Sequence, residues 1–387
     1  MNKNIQYKKL GEVCDFIAGG TPSKSKIEYW KDGNIPWIKI SDFKEKYIKI
    51  SAEKITKIGL EKSSAKILEK GTILYTIFAS VGKVAILDME ATTNQAIVGI
   101  NLKKDISIDK DFLYYFLCSI ENNVKNQARG VAQNNINISI LKNINIPIFS
   151  LSSQKNITKM LSEVENLLEN LKRKKSLVNI LNKSLFTRMF GDIKTNDKNW
   201  EVKKIEDCIL NNVKNINLKE KGEIAYIDIS SINNKENKIL SYKKYNSISE
   251  APSRAKKILN ENDILISTVR PALKNIAIFS EKVLELTIAS TGFCILRAKD
   301  TINNRYIFEI IKSDNFTETL IKKQIGANYP AISDRDIKSI KIPLPPIELQ
   351  NKFAERIEKI EKLSFEIEKS IKEAENLYNS LISKYFD

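Results

Sequence analysis

Side chains that commonly carry enzymatic chemistry are scarce in this chain of 387 residues. It contains no histidine, which excludes Ser-His and Cys-His nucleophilic pairs and removes the commonest ligand of transition metals. Cys14, Cys118, Cys208 and Cys294 lie far apart, without the paired spacing of a zinc site or disulfide framework. No GxxxxGKS-type phosphate loop, GxGxxG turn or NPPY-like methyltransferase motif occurs. We therefore expect no catalytic residues, no metal site and no cofactor site in this chain.

Side chains that bind nucleic acid are abundant instead. The formal charge of +16 and a pI near 9.3 suit a polyanion, although a Lys-, Asn- and Ile-rich composition also follows from an A/T-rich genome. Arg, Lys, Asn, Gln, Ser and Thr read base edges, and Lys and Arg bind phosphates. The candidates in the first half of the chain, at predicted strand or helix edges, are Thr21, Ser23, Lys24, Lys26, Ser41, Asp42, Lys44, Ser80, Lys83, Arg129, Gln133 and Asn134.

The second half contains a corresponding set of polar and aromatic candidates. They are Ser230, Ser231, Asn233, Arg254, Arg270, Lys274, Asn328 and Tyr329. Arg270 ranks first, because arginine to guanine is the commonest specific contact. For every candidate the alternative is a solvated loop residue. Trp37 and Tyr226 offer rings that could stack on an extruded base, but core packing is the favoured interpretation.

The elements that must position these side chains are encoded twice, because the chain matches itself. One constant separation relates Gly130 to Gly326 and extends from there to the C-terminus. It pairs Lys142 with Lys338, Pro147 with Pro343, Gln154 with Gln350 and Phe190 with Phe386. Earlier segments match with small gaps, such as IPWIKISDF with IAYIDISSI and ILEKGTILYT with ILNENDILIS. The repeat is far longer than a solenoid unit of about 20–50 residues, so two homologous modules stand in tandem.

Each module begins with short β-type runs and turns, continues with a more helical patch, and ends in a long helical segment. The pattern predicts an α/β or α+β fold. Pro147 and Pro343 mark the change from sheet to helix. The predicted boundaries are a globular domain over 1–151, a helical segment over 152–192, a second globular domain over 193–345 and a second helical segment over 346–387.

Both helical segments have a heptad-like apolar stripe. A helix of about 36 residues is about 54 Å long, too long to bury its stripe against one small domain. We expect the two helices to pair as an antiparallel coiled coil with pseudo-twofold symmetry; the alternative is that each lies on its own domain. The predicted pairing residues are Leu161, Val164, Leu168, Leu171, Val178 and Leu185 with Ile357, Ile360, Leu363, Ile367, Ile371, Leu377 and Leu381.

The order of these features resembles the specificity subunits of type I restriction-modification systems over essentially the whole chain. The phrases KKLGEVCDFIAGGTPS, IPWIKISDF, GVAQNNINISILKNINIPI and LFTRMFGD are similar to that family. The resemblance implies that each globular domain is a target-recognition domain for one half of a split duplex DNA site. It also implies that the helices space these domains and dock two methyltransferase subunits. The second module departs from the pattern, having Asn211 to Lys214 where the first has Gly19 to Pro22.

The resemblance implies further that S-adenosylmethionine, ATP and Mg²⁺ act in partner subunits, including a motor-nuclease subunit that cuts unmodified DNA. We expect the protein to be non-catalytic and cytoplasmic and to have no membrane segment. Two other functions stay open. One is a nuclease or fused restriction-methylation enzyme with a degenerate active site. The other is an architectural bridge that binds DNA without sequence preference.

Overall fold

The structure is a computed structural model, and it describes residues 6–121, 136–217, 221–280, 283–284, 286–326 and 329–386. The chain divides into two units, which do not follow the order of the sequence. Unit 1 contains the residues up to Lys172 and those from Lys369 onward, whereas unit 2 runs from Arg173 to Glu368. The last part of the second module therefore belongs to the same unit as the first globular domain.

The strands are short, as expected for β-type runs separated by turns. Unit 1 contains β1 (Gln6–Lys9), β2 (Cys14–Ala18), β3 (Ile35–Ile38), β4 (Tyr47–Ile48), β5 (Glu53–Ile55), β6 (Ile73–Thr76), β7 (Val84–Leu87), β8 (Thr92–Thr93), β9 (Ile97–Leu102) and β10 (Asn145–Ile148). Unit 2 contains β11 (Glu201–Lys204), β12 (Lys221–Ile227), β13 (Ile232–Asn233), β14 (Lys238–Ile239), β15 (Lys243–Ser247), β16 (Ala255–Ile258), β17 (Ile264–Ser267), β18 (Ile276–Ile278), β19 (Leu286–Ser290), β20 (Phe293–Leu296) and β21 (Lys341–Leu344).

Helices are short within the globular parts and long where the heptad-like stripes occur. They are α1 (Leu10–Val13), α2 (Lys57–Glu61), α3 (Lys110–Ser119), α4 (Ile138–Lys142), α5 (Leu151–Phe190), α6 (Ile205–Cys208), α7 (Asn304–Lys312), α8 (Asp314–Lys323), α9 (Asp334–Lys338) and α10 (Ile347–Phe386). At 40 residues each, α5 and α10 are about 60 Å long. The mixed α/β class predicted from the sequence is confirmed.

The two units share two features of sheet topology. In each, the first strand pairs antiparallel with the strand that leads into a long helix, β1 with β10 and β11 with β21. A parallel pair also recurs, β3 with β8 and β12 with β19. Unit 1 completes its sheets in the orders β2-β9-β6-β7-β4 and β5-β3-β8, and unit 2 in the orders β15-β12-β19-β16, β18-β17-β20 and β13-β14.

A buried glutamine fastens the start of each long helix to its globular domain. The side-chain oxygen of Gln154 accepts from the backbone N–H of Asp109 at 2.7 Å, and its amide donates to the carbonyls of Ser107 and Phe149. Gln350 accepts from the N–H of Asn303 at 2.8 Å and donates to the carbonyl of Pro345. Both side chains are fully buried and hydrogen-bonded to the backbone of their globular domain, so each fixes the angle at which a helix leaves its sheet.

Within each unit, segments of α5 and α10 run antiparallel. In unit 1 the hydroxyl of Tyr378 donates to Glu165, and Lys172 forms an ion pair with Glu375 at 3.3 Å. In unit 2 Lys175 pairs with Glu368 at 3.0 Å. Among the predicted pairing residues, Leu161, Val164, Leu171, Val178, Ile357 and Ile367 are buried, and Leu168, Leu185, Ile360, Ile371 and Leu381 are half-buried.

Leu363 and Leu377 were predicted on the buried stripe, and that prediction is wrong. They are 46% and 49% exposed. The less exposed positions are instead Ser364 and Tyr378, which keep steps of four and three residues alternating along α10. The apolar leucines lie one residue, about 100° of helix rotation, away from that face. Hydrophobicity alone therefore selects the leucine at each place, although the residue after it is the less exposed one.

Aromatic side chains at the helix ends close both cores. In unit 1 the Phe386 ring lies 5.2 Å from the ring of Phe112 and 5.9 Å from that of Phe116. In unit 2 the ring of Phe190 lies 4.6 Å from that of Tyr306 and 5.1 Å from that of Phe353. Each core is therefore completed by a helix that begins after the other globular domain in the chain.

Truncating Phe353 tests this aromatic closure. Phe353→Ala removes a fully buried ring, and we expect the free energy of unfolding to fall by about 3–5 kcal/mol. Phe365→Ala is the matched control, because Phe365 lies on the same helix and is 64% exposed; its loss should stay under about 0.5 kcal/mol. Denaturant titration followed by circular dichroism measures both, and equal losses would contradict the assignment.

Candidate nucleic-acid interface

The best-defined candidate surface lies in unit 2, on the turn between β17 and β18. Arg270 adopts a left-handed backbone conformation with φ of 49°, and its N–H donates to the carbonyl of Pro330 at 2.8 Å. Its guanidinium carbon lies 5.4 Å from the centre of the Tyr329 ring. Arg270 and Tyr329, both predicted site residues, are thus brought together on an exposed edge.

Backbone hydrogen bonds join several loops into this edge. The N–H of Thr268 donates to the carbonyl of Gly292 at 2.9 Å, and the N–H of Ile332 donates to the carbonyl of Thr268 at 2.8 Å. The N–H of Thr291 donates to the carbonyl of Arg254 at 2.9 Å, which places exposed Arg254 beside the same loops. Three predicted segments, around 254, 270 and 329, are therefore linked through backbone hydrogen bonds of neighbouring loops.

Lys274 holds this turn rather than projecting freely from it. Its side-chain nitrogen forms an ion pair with Asp314 and donates to the carbonyl of Lys312 at 3.3 Å. The ammonium lowers the pKa of the Asp314 carboxyl from its usual value. Lys274 also has a left-handed backbone, with φ of 51°. The ammonium group of Lys274 thus already makes two interactions within the protein. A contact with DNA would compete with both.

The hairpin β13–β14 lies against the same turn. The side-chain amides of Asn234 and Asn237 donate to the carbonyls of Leu273 and Lys274 at 2.9 and 3.2 Å. The hairpin brings Asn233 near the turn, although its side-chain oxygen already accepts from the N–H of Lys235.

Ser230 and Ser231 belong to the short turn that precedes this hairpin. The hydroxyl of exposed Ser230 donates to Asp228. Ser231 is only 4% exposed and accepts from the N–H of Asp228. Burial removes Ser231 from the candidate interface, which corrects that prediction; the sequence did not distinguish a capping serine from a contacting one.

Unit 1 repeats the same backbone connections with other side chains. The N–H of Ile77 donates to the carbonyl of Ala96 at 2.8 Å, and the N–H of Ile136 donates to the carbonyl of Ile77 at 3.1 Å. These match the bonds of Thr268 and Ile332 in unit 2. The hydroxyl of Thr21 donates to the side-chain oxygen of Gln95, so the loop carrying Thr21 joins this edge.

The polar cluster at Lys24 supports this loop. The nitrogen of Lys24 lies 3.4 Å from the centre of the Trp30 ring and forms a 2.6 Å ion pair with Glu53. Glu53 also pairs with Lys39. The indole N–H of Trp37 donates to the carbonyl of Gly20 at 3.0 Å. The hydrogen bond from Lys24 is the largest cause that lowers the pKa of the Glu53 carboxyl, and the hydrogen bond from Lys39 is the second. The Glu53 carboxylate therefore neutralises part of the positive charge of this cluster.

The remaining predicted residues of both halves of the chain differ in their surroundings. Exposed side chains are those of Ser23, Lys26, Ser41, Lys44, Ser80 and Lys83. Asp42 accepts from the backbone N–H of Lys39 at 2.9 Å and so caps a short turn. Arg129, Gln133, Asn134 and Asn328 lie outside the described residues. Trp37 and Tyr226 are buried in cores, as the packing interpretation predicted.

Sequence reasoning missed two residues that shape these surfaces. Glu53 neutralises Lys24, a contact that joins residues far apart in the chain. Ile325 is 79% exposed, and its N–H and carbonyl both bond to Ala331 beside Tyr329. The repeat offered a signal for Ile325, because it directly precedes Gly326, which heads the repeated segment and has a φ of 97°.

Two wider properties of the described residues bear on function. They contain no cluster of three or more Cys, Asp or Glu side chains able to hold a metal ion. In the same part of the chain, no helix is long and apolar enough to cross a membrane.

The chain matches known proteins along both halves. The family model described as type I restriction modification DNA specificity domain matches residues 2–179 and 197–375. The MjaIX type I restriction enzyme specificity subunit of Methanocaldococcus jannaschii is 31% identical over 227 residues, covering 54% of this chain and 52% of that protein. The chain thus spans about half the length of that relative. The MjaVIII specificity subunit of the same organism is 25% identical and covers 94% of this chain and 88% of that protein.

Solved structures share the fold. A type I restriction-modification S subunit from M. genitalium has a TM-score of 0.56 at 18% identity, covering 100% of this chain and 97% of that one. A second structure is described as the structural basis of complex assembly and conformational transition of the type I R-M system. It has a TM-score of 0.58 at 16% identity and covers 100% of this chain and 98% of that one. At these identities the likeness concerns the fold alone. The predicted tandem architecture with long helices is confirmed.

The lowered pKa of Glu53 gives a pH-dependent prediction. Because the folded-state pKa lies below the ordinary 4.5, the ion pairs of Glu53 contribute stability above pH 4.5 and lose it as pH falls through the folded pKa. We expect Glu53→Gln to lower the thermal unfolding midpoint near pH 7, with the difference from wild type shrinking below pH 4.5. Glu45→Gln, at an exposed position, should show no such pH-dependent difference. A constant offset for Glu53→Gln across that range would contradict this origin.

Proposed function

This chain belongs to the family of type I restriction-modification DNA specificity proteins, and from that premise we propose that it reads a bipartite duplex site. Each globular domain reads one half-site through the loop edge described above. The long helices hold two methyltransferase subunits, one for each half, so that adenines there are methylated. A motor-nuclease subunit joins the complex to cut unmodified DNA. S-adenosylmethionine, ATP and Mg²⁺ belong to these partners, and the chain itself is non-catalytic.

The observation that carries this proposal is the repeated edge with varied side chains. Both units join their loops by the same backbone bonds, at Ile77 and Ile136 in one and at Thr268 and Ile332 in the other. The groups presented there differ, with Thr21, Ser80 and Lys83 on one edge and Arg270 and Tyr329 on the other. Two similar scaffolds with different groove-reading groups suit two different half-sequences.

The docking of methyltransferase subunits is supported by the outer faces of α5 and α10. Within unit 2, Leu177 and Ile180 on α5 and Phe365 on α10 are exposed. Large apolar side chains on the outside of a helix pair are typical of a surface that another protein covers. We therefore place the partner contacts on these helices and the DNA contacts on the loops.

The experiment that tests DNA reading is a methylation map. The chain is co-expressed with its methyltransferase, and methylated adenines across a plasmid are located by single-molecule sequencing. We expect a split motif with a fixed gap. Arg270→Ala should relax one position of a single half-motif by roughly 5- to 150-fold, corresponding to about 1–3 kcal/mol for a bidentate base contact. The other half-motif is the internal control, since its domain is unchanged.

The outcomes of this map separate the candidate functions. Methylation without any motif, with affinity that depends on salt alone, would favour an architectural bridge. Cleavage of DNA by the purified chain with a divalent metal would favour an enzyme. The first result would reject sequence reading by this chain, and the second would reject its non-catalytic role.

Shortening the helices tests their role as a spacer. Deleting one heptad at the same level from α5 and α10 removes about 10.5 Å of helix, which is close to three base pairs of duplex. We expect the gap of the motif to shorten while both half-sequences stay the same. Replacing exposed residues Arg173 and Lys174 by alanine without changing the length should leave the gap unaltered. A changed half-sequence would contradict the spacer role.

A further inference from the structure

The turn around Arg270 has a composition that phosphate contact alone does not explain. Tyr329 is 75% exposed and Ile325 is 79% exposed, and Leu273 on the same turn is also exposed. We call Arg270, Leu273, Ile325 and Tyr329 the recognition tip. Ala331 bridges both Val269 and Ile325, so these apolar side chains belong to neighbouring backbone segments rather than to scattered positions.

The turn that carries Arg270 and Leu273 is held in one conformation by several independent contacts. Arg270 and Lys274 both have left-handed backbones, a conformation that is unfavourable for residues with a side chain and persists only where surrounding contacts fix it. Lys274 is tied to Asp314 and to the Lys312 carbonyl. The hydroxyl of Ser267 donates to the carbonyl of Val269 at 2.8 Å. A rigid turn of this kind presents its side chains with little entropy left to lose on binding.

The chemistry of the recognition tip suits the faces of bases. Phosphates attract Arg270 but offer nothing to Ile325 or to the ring of Tyr329. Aromatic rings stack on base faces, and apolar side chains enter between base steps and kink the duplex. The guanidinium of Arg270, 5.4 Å from the Tyr329 ring centre, provides a cation beside the stacking ring. In a closed duplex those base faces are covered, so contact requires that a step open.

We propose that the recognition tip opens one base step in the half-site read by the second domain. Tyr329 stacks on the exposed base face, Ile325 fills the widened step, and Arg270 binds the edge of a neighbouring base. This inference rests on the proposed function. It adds that part of the specificity comes from how readily one step deforms, and not only from hydrogen bonds to base edges.

The test uses the full chain with its methyltransferase and duplexes carrying the mapped motif. 2-Aminopurine, whose fluorescence rises when it is unstacked, replaces one base at a time in the second half-site. The methylated position is left out, because a methyltransferase itself extrudes that base. We expect a fluorescence rise at one step with the wild type and with Tyr329→Phe. The rise should be absent with Tyr329→Ala, whose affinity should fall by between about 5-fold and about 150-fold.

Tyr242→Ala is the matched control, because Tyr242 is another exposed tyrosine of unit 2 with a lysine nitrogen, that of Lys244, 6.0 Å from its ring centre. It should keep both the rise and the affinity. Specific binding without any Tyr329-dependent rise would overturn this inference and leave the proposed function intact. Equal binding of the wild type to every duplex would instead reject the proposed function. Loss of methyltransferase association in Tyr329→Ala, with DNA binding unchanged, would reassign the recognition tip to protein contact and overturn the inference.

Discussion

The structure depends on how each hydrophobic core is closed. Neither globular domain buries its aromatic residues with its own helix alone. Phe386 covers Phe112 and Phe116 in unit 1, and Phe190 covers Tyr306 and Phe353 in unit 2. The buried area lost without these rings would be large, because aromatic side chains contribute most to core burial. The long helices are therefore part of both cores, and their antiparallel pairing within each unit follows from that requirement.

The sequence predicts the features that depend on periodicity and repetition. Matching Gln154 to Gln350 and Phe190 to Phe386 anticipated side chains that perform the same task in each unit, a buried helix anchor and a closing aromatic. The sequence does not predict burial where two adjacent helix positions compete for the buried face. It also does not predict contacts between side chains that lie far apart in the chain. Leu363 and Leu377 lie beside the buried stripe rather than on it, and Ser231 is buried as a turn cap. The ion pairs of Lys24 with Glu53 and of Lys274 with Asp314 join residues far apart in the chain, which no local pattern reveals.

In the candidate interface, different groups connect the loops and face the solvent. Its loops are joined mainly through backbone N–H and carbonyl groups, which every residue type except proline supplies in full. Ile77 in one unit and Thr268 in the other make equivalent bonds although their side chains differ. Substitutions at the exposed positions therefore leave the connections between loops in place. The same scaffold can present a different set of groove-reading side chains without a change in the core.

The position of Phe386 also sets the order in which the protein can be completed during translation. The core of unit 2 needs nothing after Glu368, whereas unit 1 requires the segment from Lys369 onward. The first globular domain is thus synthesised before the second but completed after it, because its surface around Phe112 and Phe116 stays uncovered until Phe386 has been synthesised. Chains usually fold the domain that is synthesised first before the later ones; here a stop codon directly after Glu368 would leave the core of unit 1 incomplete and spare that of unit 2.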